Sequence, residues 1–434
     1  MISPLGHARP ATDESEEVPF MPTTAQSAVA RWVDQPDHRE WLKGQLVAQL
    51  RFGRGFAHPE GGAWYLGAGG VPDRSRPVAT WITARMAHVY SLGHLAGIPG
   101  CKPLAAAAVG ALLGRLRDEA NGGWFTSLGP GEQRDETKAA YAHAFVVFAS
   151  SSATVAGVAG ARELLDEALG VLDERFWDEG RGLHLDSAVS DWSRYSHYRG
   201  VNANMHAVEA LVSAADTTNE VRWLERAARI TDTVLGWAAD NDWRIPEHFD
   251  VSWTPLLDHH RDQPDHPFEP YGATVGHGLE WARLTLHVRA ALGDAAPDSL
   301  LEGAQALFAR AVQDGWATDG ADGFVYTTDW SGRPVVRQRM HWVAAEAISA
   351  AAALSAATGD PVYDTWYRTW WDYALEHLVD RDGSWRHELD PNNRPAGTVW
   401  PGRPDLYHSV HAVLLQRLPL APSAPTALAQ GLLR

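Results

Sequence analysis

A short glycine–aromatic punctuation recurs along the chain, and its spacing limits the architecture more than any other feature. It reads Glu60-Gly-Gly-Ala-Trp64, Asn121-Gly-Gly-Trp124, Glu179-Gly-Arg-Gly-Leu-His184, Asn241-Asp-Trp243, Gly320-Ala-Asp-Gly-Phe324 and Asp382-Gly-Ser-Trp385. Four of the five intervals are about 60 residues, and the other is nearer 80, stretched by an insertion around Asp250 to Tyr271. A fixed period of this kind marks stacked supersecondary units. Between punctuations, apolar residues recur with the 3.6-residue period of a helix. The predicted helices run Arg39 to Phe52, Trp81 to Ala96, Leu104 to Arg117, Ala139 to Ala149, Ala161 to Phe176, Asn204 to Ala215 and Val221 to Ala238. They continue with His277 to Leu292, Leu300 to Val312, Trp342 to Ala357, Val362 to Leu378 and Asp405 to Leu415. Proline and glycine stand at the joints, where they stop helices.

Paired helices repeated six times predict an all-α toroid, an (α/α)6 barrel with short β segments and long loops at one mouth. Inner helices touch neighbours on all sides, and Ala-rich runs such as Ala344 to Ala357 suit close approach. The punctuation segments are expected to gather at one mouth and line it with aromatics, a natural concave site. An open α-solenoid that binds protein is the alternative. Against it, the connectors are long and rich in Trp, His, Arg and Glu. Residues 31–434 are read as one catalytic domain, and Met1 to Ala30, with acidic Asp13, Glu14, Glu16 and Glu17 and scattered prolines, as a disordered tail. The tail lacks the basic-then-apolar pattern of a secretory signal.

The formal net charge of −17 repels phosphates and anionic lipid, so neither nucleic acid nor a membrane is an expected partner. No apolar run reaches the ~20 residues of a membrane span. Cys101 is the single cysteine, read as a small buried hydrophobe; it excludes a disulfide framework and suits a cytoplasmic location. The 20 tryptophans favour a carbohydrate site, because indole stacks on sugar C–H faces while its N–H donates. Oligomeric state is left open.

Of the 20 histidines, the informative ones stand at helix starts. Arg199-Gly-Val-Asn202-Ala-Asn204-Met-His206 opens one helix with more polarity than a cap requires. Gly276-His277-Gly-Leu-Glu280-Trp281 opens another, with His277 and Glu280 on one face. Pro404-Asp405-Leu-Tyr407-His408-Ser-Val-His411 starts the last. Arg85, inside the apolar Trp81-Ile-Thr-Ala-Arg85, needs a partner or a cavity, since a buried guanidinium is costly alone. Tyr141, His143, Trp342 and Glu346 interrupt other helices in the same way. No His-Glu-x-x-His or Cys-x-x-Cys motif is present, so neither a metal nor any other cofactor is expected.

At Trp81-Ile-Thr-Ala-Arg85, Asn202-Ala-Asn204-Met-His206, Gly276-His277 with Glu280-Trp281, and Asp405-Leu-Tyr407-His408, the sequence resembles the N-acylglucosamine 2-epimerase superfamily. Within it, the chain looks like the aldose–ketose isomerase branch of mannose and sulfoquinovose isomerases. Further matches are Asn241-Asp-Trp-Arg-Ile-Pro-Glu-His-Phe-Asp250, Asp319-Gly-Ala-Asp-Gly323 and Tyr363-Asp-Thr-Trp-Tyr-Arg-Thr-Trp-Trp371, and the resemblance runs from about Arg31 to the C-terminus. It implies an (α/α)6 barrel and cofactor-free proton transfer through a cis-enediol(ate), with His277 and His408 as the acid/base pair. It puts Arg85, Tyr141, Asn202, His206, Glu280 and Glu346 on sugar hydroxyls, and makes Trp342 and Trp385 apolar walls. Three positions where the sulfoquinovose branch carries sulfonate donors hold His387, Pro404 and Pro267 here. The expected substrate is therefore a neutral monosaccharide, mannose to fructose and also lyxose to xylulose. A sulfo-sugar isomerase, a 2-epimerase and a noncatalytic sugar- or protein-binding toroid are the alternatives.

Overall fold

The computed structural model describes residues 31–434; the tail expected over 1–30 lies outside the described residues. Thirteen α-helices follow one another: α1 (Pro36–Phe52), α2 (Thr80–Leu95), α3 (Cys101–Leu113), α4 (Ala140–Val155), α5 (Ala161–Val171), α6 (Val201–Thr218), α7 (Val221–Asp240), α8 (Val275–Leu292), α9 (Ser299–Gly315), α10 (His341–Thr358), α11 (Pro361–Tyr373), α12 (Tyr407–Leu414) and α13 (Ala424–Ala429). The even-numbered helices α2 to α12 form an inner ring, each touching the next, and α12 touches α2. The odd-numbered helices α1 to α11 lie outside, and α1 packs on α12, so the two ends of the barrel sequence close the circle. This is the (α/α)6 barrel. The expected helices are all present, and α5 and α11 each finish in a wide π turn, Leu172–Phe176 and Ala374–Leu378. The short α13 lies across α2, α4 and α6.

Composition decides which ring a helix joins. Every residue of α10 from Val343 to Ser355 is buried, because the helix has neighbours on all sides and its alanines let them approach. Outer α7 buries one stripe, Trp223, Ala227, Ile230, Thr231, Val234, Leu235 and Ala238, at helical spacing, and leaves its other face to solvent. Cys101 is buried at the start of α3. No helix among the described residues is long and apolar enough to cross a membrane.

Short strands build the working mouth. A two-residue strand runs directly into five of the inner helices, and each pairs antiparallel with a strand beyond the following outer helix: Val78 with Leu128, Lys138 with Ala188, Arg199 with Phe249, Ala273 with Thr328, and Arg339 with Leu389. The sixth pairing, Leu66 with Arg403, joins the segment after α1 to the one before α12. Six similar pairings therefore set the first turns of all six inner helices around one opening.

The punctuation serves a different purpose from the one expected. Each segment is the tight turn that follows an outer helix. Gly123 (φ +72°) could not carry a side chain, because a Cβ there would stand 2.7 Å from the His143 ring; at Gly383 (φ +85°) it would stand 2.6 Å from Ala48 Cβ. The aromatics of these turns point into the packing between rings. Trp124 donates to the Leu112 carbonyl, and Phe324 packs on Trp370. Trp124, Phe324 and Trp385 are core residues, whereas Trp64 and Trp243 are half-buried. His143 is core as well: its Nδ1 bonds the Ala139 carbonyl and its Nε2 accepts from the Trp124 amide.

Candidate active site

The first turns of the inner helices surround a cavity that opens at this mouth. Its lining includes Trp81 and Arg85 from α2, Tyr141 from α4, Asn202 and His206 from α6, His277 and Glu280 from α8, His341 and Trp342 from α10, and His408 from α12. Connectors add Pro267, Phe268, Tyr326, His387, Trp400 and Asp405.

Two histidine–carboxylate pairs stand on either side of the Trp342 indole. His277 Nδ1 is 2.7 Å from Glu247 Oε2, and His408 Nδ1 is 2.8 Å from Glu346 Oε1. The two imidazoles lie 5.1 and 5.7 Å from the Trp342 ring. In each, the Nδ1–H donates to the carboxylate, which fixes the tautomer and leaves Nε2 to act as acceptor. Gly276 makes this arrangement possible, since a Cβ there would come 2.4 Å from the Trp342 ring.

Glu346 also accepts from Arg283 Nε at 2.8 Å, and Arg283 reaches Glu209 at 3.1 Å and Glu280 at 3.6 Å. One buried guanidinium thus balances three carboxylates beneath the cavity, and Glu209 also accepts from the Tyr407 hydroxyl. Burial and the neighbouring Glu346 charge push the Glu280 carboxyl well above its usual range, against the pull of Arg283. Burial, then Arg85 and Arg283, hold His408 well below the ordinary imidazole value. His206 is lowered in the same direction by burial, Arg85 and His408. For Glu247, burial works against the charge, but His277 outweighs it and keeps the carboxylate ionised.

Arg85 is tied on two sides, to Asp405 at 3.2 Å and the Tyr141 hydroxyl at 2.9 Å, while its plane packs over Phe145 and Tyr407. Burial alone would weaken its charge; Tyr141 and Asp405 restore and strengthen it. The Arg85 Nε has no hydrogen-bond partner among the described residues, and the same holds for Asn202 Oδ1, His206 Nδ1, Glu280 Oε1, His341 Nε2 and Trp400 Nε1. An unmet buried polar atom costs roughly 1–3 kcal/mol. All six belong to residues that line the one cavity.

The donor atoms of Glu280, Glu346 and His408 lie within 4.8 Å of one another, as metal ligands would. Arg283 already stands against both carboxylates, so the position of a dication is taken by a guanidinium, and the donor set does not fit a resident metal.

Of the residues singled out in the sequence, the cavity brings together Arg85, Tyr141, Asn202, His206, His277, Glu280, Trp342 and His408. Two lie elsewhere. Glu346 is fully buried behind His408, where its carboxylate holds the imidazole and Arg283. Trp385 is buried against Trp371, because it belongs to a punctuation turn, and it forms no wall. Sequence reasoning missed Glu247, although it lies within the quoted Asn241 to Asp250 match. It also missed Phe268, Tyr326 and Trp400, which stand in connectors without helical periodicity to single them out.

The chain matches the family model described as N-acylglucosamine 2-epimerase over residues 61–412. A D-mannose isomerase of Thermobifida fusca is 51% identical over 402 residues, 92% of this chain and 98% of that protein. A D-mannose isomerase of Pseudomonas cannabina pv. alisalensis is 43% identical, covering 92% of this chain and 97% of its own. A crystal structure of a D-mannose isomerase superposes with a TM-score of 0.80 at 29% identity, covering 86% of this chain and 96% of the other. A cellobiose 2-epimerase of Spirochaeta thermophila shares the fold, with a TM-score of 0.76 at 23% identity and 88% and 96% coverage. With the barrel, the mouth and these relatives agreeing, the chain belongs to the N-acylglucosamine 2-epimerase family.

Proposed function

We propose that the protein is an aldose–ketose isomerase that interconverts D-mannose and D-fructose, and D-lyxose and D-xylulose, by metal-free proton transfer through a cis-enediol(ate). The observation that carries this is the pair of carboxylate-held imidazoles flanking Trp342 at one sugar-sized cavity. The mannose isomerases among its relatives support the substrate class.

The reaction asks for three things. The hexose ring opens, C2 loses a proton, and C1 gains one. His408, kept neutral and weakly basic by burial and two guanidiniums, suits exchange with the O1 and ring-oxygen protons, where a strongly held proton would stall. His277, backed by Glu247 as a carboxylate, takes the C2 proton, exchanges it with solvent, and delivers a proton to C1 on the same face of the planar enediolate. Arg85, with its unmatched Nε–H, and neutral Glu280 donate to the oxygens where negative charge develops. Asn202 and His206 bind hydroxyls, and Trp342 is the apolar floor. A single imidazole serving both carbons on one face gives isomerisation; imidazoles reaching C2 from both faces would give 2-epimerisation.

A neutral sugar suits the rim, because His387 and Pro267 line the cavity where the sulfo-sugar branch carries sulfonate donors. One feature favours a second reading: Arg76, with its guanidinium 3.7 Å from the Tyr65 ring centroid, lines the same rim and would meet an anionic group at C6. We place the protein in the cytoplasm, consistent with its single buried thiol. Assaying ketose formation from mannose, lyxose, glucose and sulfoquinovose side by side tests the reading. Turnover of mannose and lyxose well above the other two is expected; turnover of sulfoquinovose alone would transfer the assignment to the second reading, and no ketose from any of them would overturn it.

A further inference from the structure

The insertion that stretches the fourth interval carries a cluster the sugar chemistry does not use. One ring nitrogen each from His259 and His260 and one Glu269 oxygen lie within 4.8 Å of one another. His259 Nε2 is 2.8 Å from Glu269 Oε2, and His260 Nδ1 is 3.8 Å from the same oxygen and 2.7 Å from the Glu269 carbonyl. All three side chains are partly exposed, at 21–32%, so an ion has a path to them. We propose that this cluster is a binding site for a borderline divalent transition ion, such as Zn²⁺, held outside the reaction cavity.

Two imidazoles and a carboxylate are the donor set that Zn²⁺, Co²⁺ and Ni²⁺ prefer, whereas Mg²⁺ and Ca²⁺ call for oxygen donors. Ligand atoms about 2.1 Å from a tetrahedral zinc lie roughly 3.4 Å apart. The observed 2.8 and 3.8 Å separations bracket that spacing; for the ion to bind, His260 Nδ1 gives up its bond to the Glu269 carbonyl and its proton moves to Nε2. The surroundings resemble a ligand shell that is already oriented. His266 Nδ1 accepts from the Glu269 amide at 3.0 Å, and its ring lies 4.5 Å from His260. The His259 ring lies 4.5 Å from His248, whose two nitrogens are fixed by the Tyr198 hydroxyl and the Pro270 carbonyl. Asp258, Asp262 and Asp265 on the same connector add negative charge that favours a dication.

The site has a mechanical link to the cavity. Pro267 and Phe268, which line the cavity, directly precede the ligand Glu269. Phe268 packs edge-on against Trp400 at 5.0 Å and Trp81 at 6.2 Å. An ion bridging Glu269 to His259 and His260 ties the two ends of this connector together and steadies the aromatic wall. It takes no part in proton transfer.

The test uses the full chain, freed of metal by chelation and dialysis, titrated with Zn²⁺ by calorimetry and with Co²⁺ by visible absorption. One ion per chain is expected, with affinity at least tenfold weaker in the H259A/H260A double variant and in E269Q. Trypsin cleavage after Arg261, which is exposed between the ligands, should slow at least threefold when Zn²⁺ is bound. These readouts need no turnover, so they stand apart from the sugar assignment. Binding that is absent, or unchanged in both variants, overturns the proposal, as does cleavage at Arg261 unaffected by a bound ion.

Discussion

His277 and Glu247 meet across a helix start and a connector; His408 and Glu346 meet across two neighbouring inner helices. The bond lengths are nearly the same, 2.7 and 2.8 Å, and the surroundings are not. The one ion pair of Glu247 among the described residues is to His277. Glu346 is shared between His408 and Arg283, and through Arg283 it joins Glu209, Glu280 and Tyr407 in a network under the cavity. The difference teaches that one motif can be set in two surroundings: Glu247 is ion-paired to His277 alone among the described residues, whereas Glu346 is divided between an imidazole and a guanidinium. Beside it, burial, Arg85 and Arg283 hold His408 well below the ordinary imidazole value. That division ties His408 into the network. It also makes Glu346 part of the fold's support, which Glu247 is not.

Removing either imidazole is the strongest way to break the comparison. His277→Ala and His408→Ala should each lower kcat by about 1,000-fold, within the range a positioned acid/base group supplies, with circular dichroism and gel filtration unchanged. If the pairs do different work, mutarotation assays on His277→Ala should still show accelerated ring opening, and those on His408→Ala should not.

Exchanging the carboxylates sharpens it. Glu247→Gln should cost roughly 100-fold in kcat with little change in Tm. Glu346→Gln should cost activity and about 3 kcal/mol of stability, because it strips a partner from a buried guanidinium. Equal thermal melts for the two variants would show that the network adds nothing. Next comes Gly276→Ala, whose Cβ would meet the Trp342 ring at 2.4 Å. It should displace the indole between the two pairs and lower kcat/KM about tenfold to 100-fold while costing about 1–3 kcal/mol.

The smallest effect is on pH. His206, His341 and His408 at the cavity and His88 and His411 beneath it are all held well below the ordinary imidazole value, chiefly by burial. A depressed folded-state pKa gives stability that is present above the unfolded value of 6.5 and is lost as pH falls toward the folded one. Glu280, moved upward, acts in the opposite direction but is a single group. Stability should therefore fall as pH drops below about 6.5, by up to ~1.4 kcal/mol per pH unit for each such histidine, with Tm falling alongside it and level above that point.

Much of the barrel is legible in the sequence because its signals are local. Inner helices read as apolar on all sides, outer ones as stripes, and polar residues at inner helix starts, such as Arg85, Asn202, His277 and His408, have nowhere to face but the mouth. What could not be read depends on pairing between distant segments. Glu247 reaches His277 only because Arg199–Gly200 pairs with the strand that carries His248–Phe249. Phe268 and Trp400 reach the cavity from irregular connectors. The punctuation aromatics misled for the opposite reason: Trp124 and Trp385 recur with a regular period, but that period belongs to the turns, and a turn that ends an outer helix points its ring into the gap between the two layers.

Proton transfer by a histidine can be watched directly in heavy water. With mannose in D2O, the native protein should place solvent deuterium at C1 of the fructose it forms, and His277→Ala should place none while keeping its fold. Fructose formed at the native rate without solvent deuterium, or full exchange in His277→Ala, would contradict the account.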